Sequence, residues 1–443
     1  MMNWDKLLSA KRFGLEHKTI KSLDAARTEF QRDFDRIIFS SPFRRLQDKT
    51  QVFPLPGSVF VHNRLTHSLE VASVGRSLAN EIANYLKTRN EIENKDILND
   101  LGSIVSAACL AHDMGNPPFG HAGEDAISNY FANGNGKDIK DKFADKEWAD
   151  LINFEGNANA LRMLSHQFIG RRKGGFALTY STIAALVKYP FSSLNSYNKK
   201  KYGFFISELH DYIKIAKELE IKEISENEFA RHPLVYLVEA ADDICYEIMD
   251  IEDAHKLNII STERTQDLLL SFFDKNTDKK FFENKIKVDK EVTDTNELIA
   301  YLRASVIGKL ISGTVKVFID NYDKIMEGEF NSTLVDKLSG NSKIAFENCK
   351  SLAVKEIYKY PSVVKIELTG FNIIGTLLDE FINASLKPEL KYSEKLLSLI
   401  PEQFNNITEV SEYNKVRLII DFISGMTDLY AVKLYKDIIG INL

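Results

Sequence analysis

Two histidine–acid pairs lie close together between Cys109 and Glu124, in the stretch CLAHDMGNPPFGHAGE. The first pair is His112 and Asp113, and the second is His121 and Glu124. An imidazole beside a carboxylate offers one nitrogen and one oxygen ligand to a metal ion. Burying such groups costs free energy unless a partner satisfies them. The repetition therefore indicates a site rather than a chance dipeptide.

A predicted apolar helix positions the first pair. Apolar residues recur at helical spacing from Leu101 to Ala108, and His112 is the next residue on that face. The GNPP sequence at 115–118 must end this helix, because proline lacks the amide proton and disfavours helical geometry in the residue before it. His121 follows directly, so the sequence predicts that the two pairs are neighbours in space.

Two more residues could complete a metal site. Thr66 is a candidate N-cap, which would place His67 in the first turn of a helix, where the positive end of the dipole favours a neutral imidazole. Further along, Asp242 and Asp243 both interrupt an apolar helical pattern, which is typical of a functional site. Asp242 shares a helix face with Tyr246 and is the favoured ligand.

Composition narrows the class of protein. The 443 residues carry 57 basic and 63 acidic side chains, a net charge of −6, which argues against a whole-surface nucleic-acid or membrane binder but allows a local basic pocket. Three scattered cysteines fit reduced thiols in the cytoplasm. The start has no signal-like apolar region, and no later run is expected to reach the roughly 18 apolar residues of a membrane span.

Periodicity predicts an all-α protein. The chain has ten prolines, no long Val/Ile/Thr alternation, no fixed repeat and many apolar stripes of period 3.6. Before Gln51, a segment rich in cations (Arg44, Arg45, Lys49) either solvates a helix face or contacts phosphate and base.

Several longer motifs resemble those of deoxyguanosine triphosphate triphosphohydrolases, a family of HD-domain phosphohydrolases. They are SSPFRRLQDKTQVFPL, NRLTHSLEVA, AHDMGNPPFGHAGE, NFEGNA, VEAADDICYEIMDIEDA and FISGMTDLYA. The resemblance spans residues 24 to 440. It implies a single all-α unit over 1–443, with an HD metal-site core at about 60–257 and additional C-terminal helices at about 298–443. It also implies hydrolysis of dGTP, with other dNTPs as alternative substrates, to deoxynucleoside and inorganic triphosphate, in an assembly that is commonly a hexamer.

The resemblance also assigns roles to individual residues. It makes His67, His112, Asp113 and Asp242 the metal ligands and His121 with Glu124 the catalytic pair. It places Gln51 and Val52 near sugar and base, and Asn157, Lys188, Tyr246 and Asp250 around the triphosphate and deoxyribose. Glu367, before a turn expected at Thr369 and Gly370, and Arg417 would belong to a C-terminal part of the pocket.

Chemistry agrees with these roles. Two imidazoles and two carboxylates leave open positions on a six-coordinate ion such as Mn²⁺, Mg²⁺, Co²⁺ or Fe²⁺, which can polarise a phosphoryl oxygen. Water attack at the α-phosphorus expels the 5′-oxygen of the deoxynucleoside, which needs a proton. His121 is placed to supply or relay that proton, and Glu124 lies one helical turn on, where it could orient the ring.

Two other functions remain open at this level. One is an HD-type nucleotidase that acts on a different phosphorylated nucleotide. The other is a nucleotide-sensing or single-strand-DNA-sensing protein without turnover, although such a sensor would not require His121 and Glu124. A second dNTP or single-stranded DNA could also act as an activator.

Overall fold

The computed structural model describes residues 1–17, 27–54, 61–89, 91–195, 201–405 and 410–441. Within these ranges the protein is almost entirely helical. The two strands found there, β1 (Glu223–Ser225) and β2 (Glu228–Phe229), form one short antiparallel pair. The prediction of an all-α fold is confirmed.

The α-helices of the described residues are α1 (Trp4–Leu7), α2 (Glu29–Ile38), α3 (Ser41–Arg45), α4 (Arg64–Thr88), α5 (Leu101–Ala111), α6 (His121–Ala132), α7 (Asp145–Ile152), α8 (Gly156–Ser165), α9 (Tyr180–Leu186), α10 (Leu209–Glu218), α11 (Val235–Lys256), α12 (Thr262–Leu270), α13 (Lys279–Glu291), α14 (Thr295–Asp320), α15 (Tyr322–Glu327), α16 (Gly340–Leu352), α17 (Pro361–Leu386), α18 (Lys391–Leu397), α19 (Glu412–Ser424) and α20 (Asp428–Ile438). Short 3₁₀ turns lie at Leu46–Asp48, Lys95–Asp100, Asn135–Lys142, Ser193–Asn195, Ile206–Glu208, Val335–Lys337 and Glu402–Phe404, and Ala353–Ile357 is a π-helical turn.

Two hydrophobic clusters form the core. The first involves α2, α4, α5, α9, α11 and α14, and the second involves α6, α7, α17, α19 and α20. Helices α4 and α5 approach so closely that a Cβ on Gly75 would lie 2.6 Å from the Cys109 sulfur. Helix α5 belongs to the first cluster and α6 to the second, so the GNPP turn between them lies where the clusters meet.

Helix α4 begins earlier than the sequence predicts. Its N-cap is Asn63, whose side chain accepts the Thr66 N–H, and the Thr66 hydroxyl accepts the Asn63 N–H in return. The assignment of Thr66 as N-cap is wrong, because this reciprocal pairing forms a capping box that places Thr66 inside the helix. His67 is consequently the fourth helical residue, one turn in from the end.

Helix α14 is longer and more apolar than expected. Among the described residues, this one helix is long and apolar enough to cross a membrane by length and composition alone, with a mean hydropathy of 1.3. The expectation that no run reaches such a length is therefore wrong. Apolar side chains on one face, including Leu302, Val306 and Leu310, pack into the first core cluster against α4, α11 and α12. In all, 28% of its most apolar stretch is buried.

Helix α17 runs without a break through the turn expected at Thr369 and Gly370. Gly370 serves close packing instead, because a Cβ there would lie 2.4 Å from the Phe119 Cβ. Phe119 lies just before α6, so this contact ties the C-terminal region to the turn that carries His121.

Candidate active site

Three predicted ligands from three helices converge. His67 on α4, His112 at the end of α5 and Asp242 on α11 place one ligand atom each within 4.8 Å of one another. The Asp242 Oδ1 lies 3.0 Å from the His67 Nε2 and 3.3 Å from the His112 Nε2. Burial alone would raise the pKa of Asp242, but His112 and His67 hold it well below its ordinary value. The carboxylate is therefore ionised, as a metal ligand must be.

The orientation of His112 fits metal binding. Its Nδ1 donates to the Cys109 carbonyl at 2.6 Å, so Nε2 is the nitrogen that lies towards Asp242. That Nε2 is buried and has no hydrogen-bond partner within the described ranges. Metal-ligating histidines show this pattern, with one ring nitrogen fixed by a carbonyl and the other directed at the ion.

Asp113 lies at the edge of this group, with its Oδ1 3.6 Å from the His112 Nε2. Arg64 donates to its Oδ2 at 2.8 Å, and the Asn116 side chain donates to its Oδ1 at 2.5 Å. Burial would raise the pKa of Asp113, but Arg64 and His112 lower it below its ordinary value. Two imidazoles and two carboxylates are a donor set suited to a divalent cation.

One cleft opens beside these ligands and collects most of the predicted site residues. Nine of the fourteen line it, namely Gln51, His112, Asp113, His121, Glu124, Asn157, Lys188, Asp242 and Tyr246. His67 lies against it through Asp242. The cleft is also lined by Arg64, Glu155, Lys201 and Glu239, which sequence reasoning did not assign.

The charges of the cleft are unbalanced. Five carboxylates line it (Asp113, Glu124, Glu155, Glu239, Asp242), against three cations (Arg64, Lys188, Lys201). Lys188 is already paired with Glu239 at 3.2 Å, and Arg231 bonds the same carboxylate at 2.6 Å. A polyanionic ligand would be repelled by this surface unless a divalent cation entered with it or before it.

A strained turn carries His121. Phe119 and Gly120 both have positive φ, 63° and 58°, and α6 begins at the next residue. A Cβ on Gly120 would lie 2.6 Å from an Arg64 nitrogen, so the guanidinium passes directly over the backbone here. A Cβ on Gly123 would lie 2.2 Å from the Pro118 carbonyl, so the turn folds back tightly onto the helix. These positions fix where the imidazole enters the cleft.

His121 and Glu124 experience opposite environments. Burial, Arg64 and Lys201 lower the pKa of His121. Burial and the neighbouring Glu155 carboxylate raise the pKa of Glu124 to about 7. The two shifts run in opposite directions and bring the pKa values of the histidine and the carboxyl group towards each other. Perturbed pKa values in a cleft are typical of acid–base sites.

Glu124 is anchored on the backbone. Its Oε1 accepts the Gly156 N–H at 2.8 Å, and no hydrogen bond joins it to His121 in the part of the chain that is described. Glu155 caps α8, and its carboxylate lies 3.0 Å from the Lys201 Nζ. The orienting bond expected between Glu124 and His121 is therefore replaced by a pair of buried carboxylates beside the ring.

Besides His67, four predicted residues lie outside the cleft lining. Val52 is a buried core residue, and Glu367 is exposed on α17. Asp250 lies behind Tyr246, where its carboxylate accepts the Tyr358 hydroxyl at 2.8 Å. Arg417 is fully buried, with its guanidinium 3.6 Å from the Phe205 ring centroid.

The residues missed by sequence reasoning left weak signals. Arg64 stands directly after the capping Asn63, and Glu155 lies inside the NFEGNA motif. Neither spacing nor periodicity shows that Arg64 reaches Asp113 or that Glu155 faces Glu124. Lys201 follows residues outside the described ranges and had no pattern around it.

Comparison with known proteins agrees with this geometry. Residues 64–188 match the HD domain, and residues 337–437 match the phosphohydrolase-associated domain. The fold and site therefore define an HD-domain phosphohydrolase, a class of metal-dependent hydrolases.

Relatives narrow the class further. A deoxyguanosinetriphosphate triphosphohydrolase-like protein of Synechocystis sp. is 36% identical over 460 residues, covering all of both chains. One from Listeria monocytogenes is 35% identical over 473 residues, also covering both chains. A deoxyguanosinetriphosphate triphosphohydrolase of Yersinia enterocolitica is 34% identical, covering 92% of this chain and 93% of its own. The chain belongs to the deoxyguanosinetriphosphate triphosphohydrolase family.

Proposed function

We propose that the protein is a metal-dependent dNTP triphosphohydrolase that converts dGTP to deoxynucleoside and inorganic triphosphate, with the other dNTPs as alternative substrates. One observation carries the proposal. The converging His67, His112 and Asp242 share a cleft with an open histidine, His121, that lies beside two buried carboxylates. A metal group alone would serve binding, whereas this combination also provides for proton transfer.

The chain's own residues account for binding and proton transfer. The ligand set, with Asp113, would hold a divalent cation, which supplies positive charge that polarises a phosphoryl oxygen. Lys188 and Arg64 contribute cations towards the triphosphate. Water forms a bond to the α-phosphorus as the bond from phosphorus to the 5′-oxygen breaks, and His121 relays to this oxygen the proton that the attacking water gives up. Asp113 and Glu155 provide negative charge that favours the protonated ring.

The sugar would lie against Tyr246. Its ring lines the cleft. The centroid of this ring lies 6.3 Å from that of His67 and 6.2 Å from that of Tyr358. The bond from Tyr358 to Asp250 supports Tyr246 from behind. Gln51 also lines the cleft and offers both donor and acceptor groups to a base or sugar.

Further properties extend the proposal. The physiological ion would be Mn²⁺, Mg²⁺, Co²⁺ or Fe²⁺, all of which tolerate this ligand set. Family resemblance supports a homo-hexamer and an activating dNTP or single-stranded DNA. The three buried free cysteines, Cys109, Cys245 and Cys349, suit a cytoplasmic enzyme.

Product analysis tests the activity. Purified protein is incubated with Mn²⁺ and each dNTP, singly and in pairs, and products are resolved by anion exchange. Triphosphate and deoxyguanosine from dGTP alone are expected. Release only from pairs would make a second nucleotide an obligatory activator. Inorganic phosphate without triphosphate would instead support the nucleotidase alternative, and dGTP binding without any product would support a sensor.

The pH dependence should respond to Glu155. Replacing Glu155 with glutamine removes a negative charge beside Glu124 and His121, so the pKa of each falls. Lys201 loses Glu155 as its ion-pair partner, and its positive charge also lowers the pKa of both groups. The charges of Arg64 and Asp113 stay unchanged. The profile of kcat/KM against pH is expected to move to lower pH by roughly one unit.

Asp125→Asn provides the control for this shift. It removes a carboxylate from the exposed side of α6, next to Glu124 in sequence. Its profile should match that of the wild type. A Glu155→Gln profile that keeps its position, or moves to higher pH, would contradict the arrangement of charges described here.

Selectivity for the deoxy sugar should depend on Tyr246. A ring against the deoxyribose leaves little space for a 2′-hydroxyl, so Tyr246→Ala is expected to reduce the dGTP/GTP ratio of kcat/KM by about tenfold or more. Tyr246→Phe keeps the ring and should keep most of the discrimination. An unchanged ratio in the alanine variant would refute this role.

A further inference from the structure

The motif FISGMTDLYA contains a carboxylate that the proposed chemistry does not use. Asp428 is the first residue of α20 and is 5% exposed. Its Oδ2 accepts the Thr50 N–H at 2.8 Å, and its Oδ1 accepts the Phe119 N–H at 3.0 Å. One side chain from the C-terminal region thus holds two backbone segments that are far apart in sequence.

Both segments carry cleft residues. Thr50 directly precedes Gln51, and Phe119 lies two residues before His121. Phe119 has φ of 63°, a conformation that a bulky residue adopts only when its surroundings impose it. The Asp428 carboxylate is one such constraint, and the packing of the Phe119 side chain against Gly370 is another.

Neighbouring bonds strengthen the same junction. The Lys49 Nζ is buried and donates to the Asn116 carbonyl at 2.6 Å and to the Ser424 carbonyl at 2.8 Å. The Asn159 side chain donates to the Gly115 carbonyl at 2.8 Å and to the Ser424 hydroxyl at 3.2 Å. The corner between α19 and α20 therefore contacts the GNPP turn and the segment before Gln51 at once.

We propose that Asp428 is a positioning residue, which fixes the Gln51 segment and the His121 turn relative to each other. The proposal rests on the proposed function for its catalytic consequence. A carboxylate suits this task because each of its oxygens accepts one amide hydrogen, whereas an asparagine offers one oxygen and turns an NH₂ group towards the other amide. The phosphohydrolase-associated region would then complete the active site without entering the cleft.

Asp428→Asn is the decisive variant. Because small displacements of a catalytic group are costly, kcat for dGTP is expected to fall about 10²-fold. KM should rise less, and the affinity for Mn²⁺, measured by calorimetry in the absence of nucleotide, should stay within about threefold, because no metal ligand lies on the two segments. Hydrogen exchange of the amides in 47–54 and 116–122 should accelerate at least about tenfold.

Thr427→Ala is the matched control. The Thr427 side chain caps α20 by accepting the Tyr430 N–H and does not bond either segment. This variant should melt at a lower temperature, as Asp428→Asn does, yet keep kcat within about threefold, because only the start of the helix is weakened. Equal losses of kcat in the two variants at equal melting temperature would overturn the proposal.

The exchange measurement separates this proposal from the proposed function. If the wild-type protein releases no triphosphate, the proposed function fails. Faster exchange in both segments of Asp428→Asn, with Thr427→Ala unchanged there, would still support the positioning role. Unchanged exchange in either segment would overturn it, whatever the substrate.

Discussion

Replacing His121 with alanine is expected to lower kcat for dGTP by about 10²–10⁴-fold, the usual contribution of a positioned acid or base. The ring is open to the cleft, and within the described residues it has no hydrogen-bond partner that its loss would strand. Alanine is also a good helix former at the start of α6. The variant should therefore fold, bind Mn²⁺ and retain its affinity for dGTP.

Three measurements identify the role of the ring. Steady-state kinetics should show the loss in kcat, while equilibrium binding of dGTP changes little. Added imidazole, which can occupy the space left by the side chain, should restore part of the activity. His210→Ala, which removes an exposed histidine from α10, should behave as the wild type. A His121→Ala enzyme with wild-type kcat would exclude proton transfer by this residue.

Local patterns in the sequence predict the positions of those candidate site residues that are held by single elements. The apolar face of α5 ends at His112, and the proline turn delivers His121 to the next helix, as the spacing predicts. The assignment of Asp242 over Asp243 also follows from a helix face, and Asp242 is the one against the two histidines. These positions are set by covalent proximity and helical period, which a single sequence contains.

Contacts between segments that are distant in sequence cannot be predicted from local patterns. Lys49 lies in a cation-rich segment whose sequence predicts either solvation or phosphate contact, but it is buried and donates to two carbonyl groups instead. Arg417 is 0% exposed, because its face of α19 packs into the second core cluster. Its position in an amphipathic helix does not predict this burial. Neither outcome follows from periodicity, because each depends on which helices pack together.

Asp242→Ala is expected to have the largest effect, a loss of metal binding together with at least about 10³-fold in kcat, since the ion supplies several kcal/mol of transition-state stabilisation. Asp242 Oδ1 contacts the Nε2 atoms of both His67 and His112. Its removal therefore takes away the carboxylate around which the predicted ligands of α4, α5 and α11 converge. It also removes one of the five carboxylates that line the cleft, which weakens the repulsion of a triphosphate. Triphosphate affinity therefore changes for a reason other than metal loss.

Asp242→Asn resolves that ambiguity, because it removes the same charge but keeps an oxygen ligand. Metal content by mass spectrometry and Mn²⁺ affinity by calorimetry should fall in the order wild type, asparagine, alanine, and millimolar Mn²⁺ should restore activity in the asparagine variant more than in the alanine variant. Asp267→Ala, on the exposed side of α12, controls for the loss of an acid elsewhere. If the alanine variant bound Mn²⁺ as tightly as the wild type, Asp242 would not be a ligand, and the metal would have to be held by a group that excludes α11.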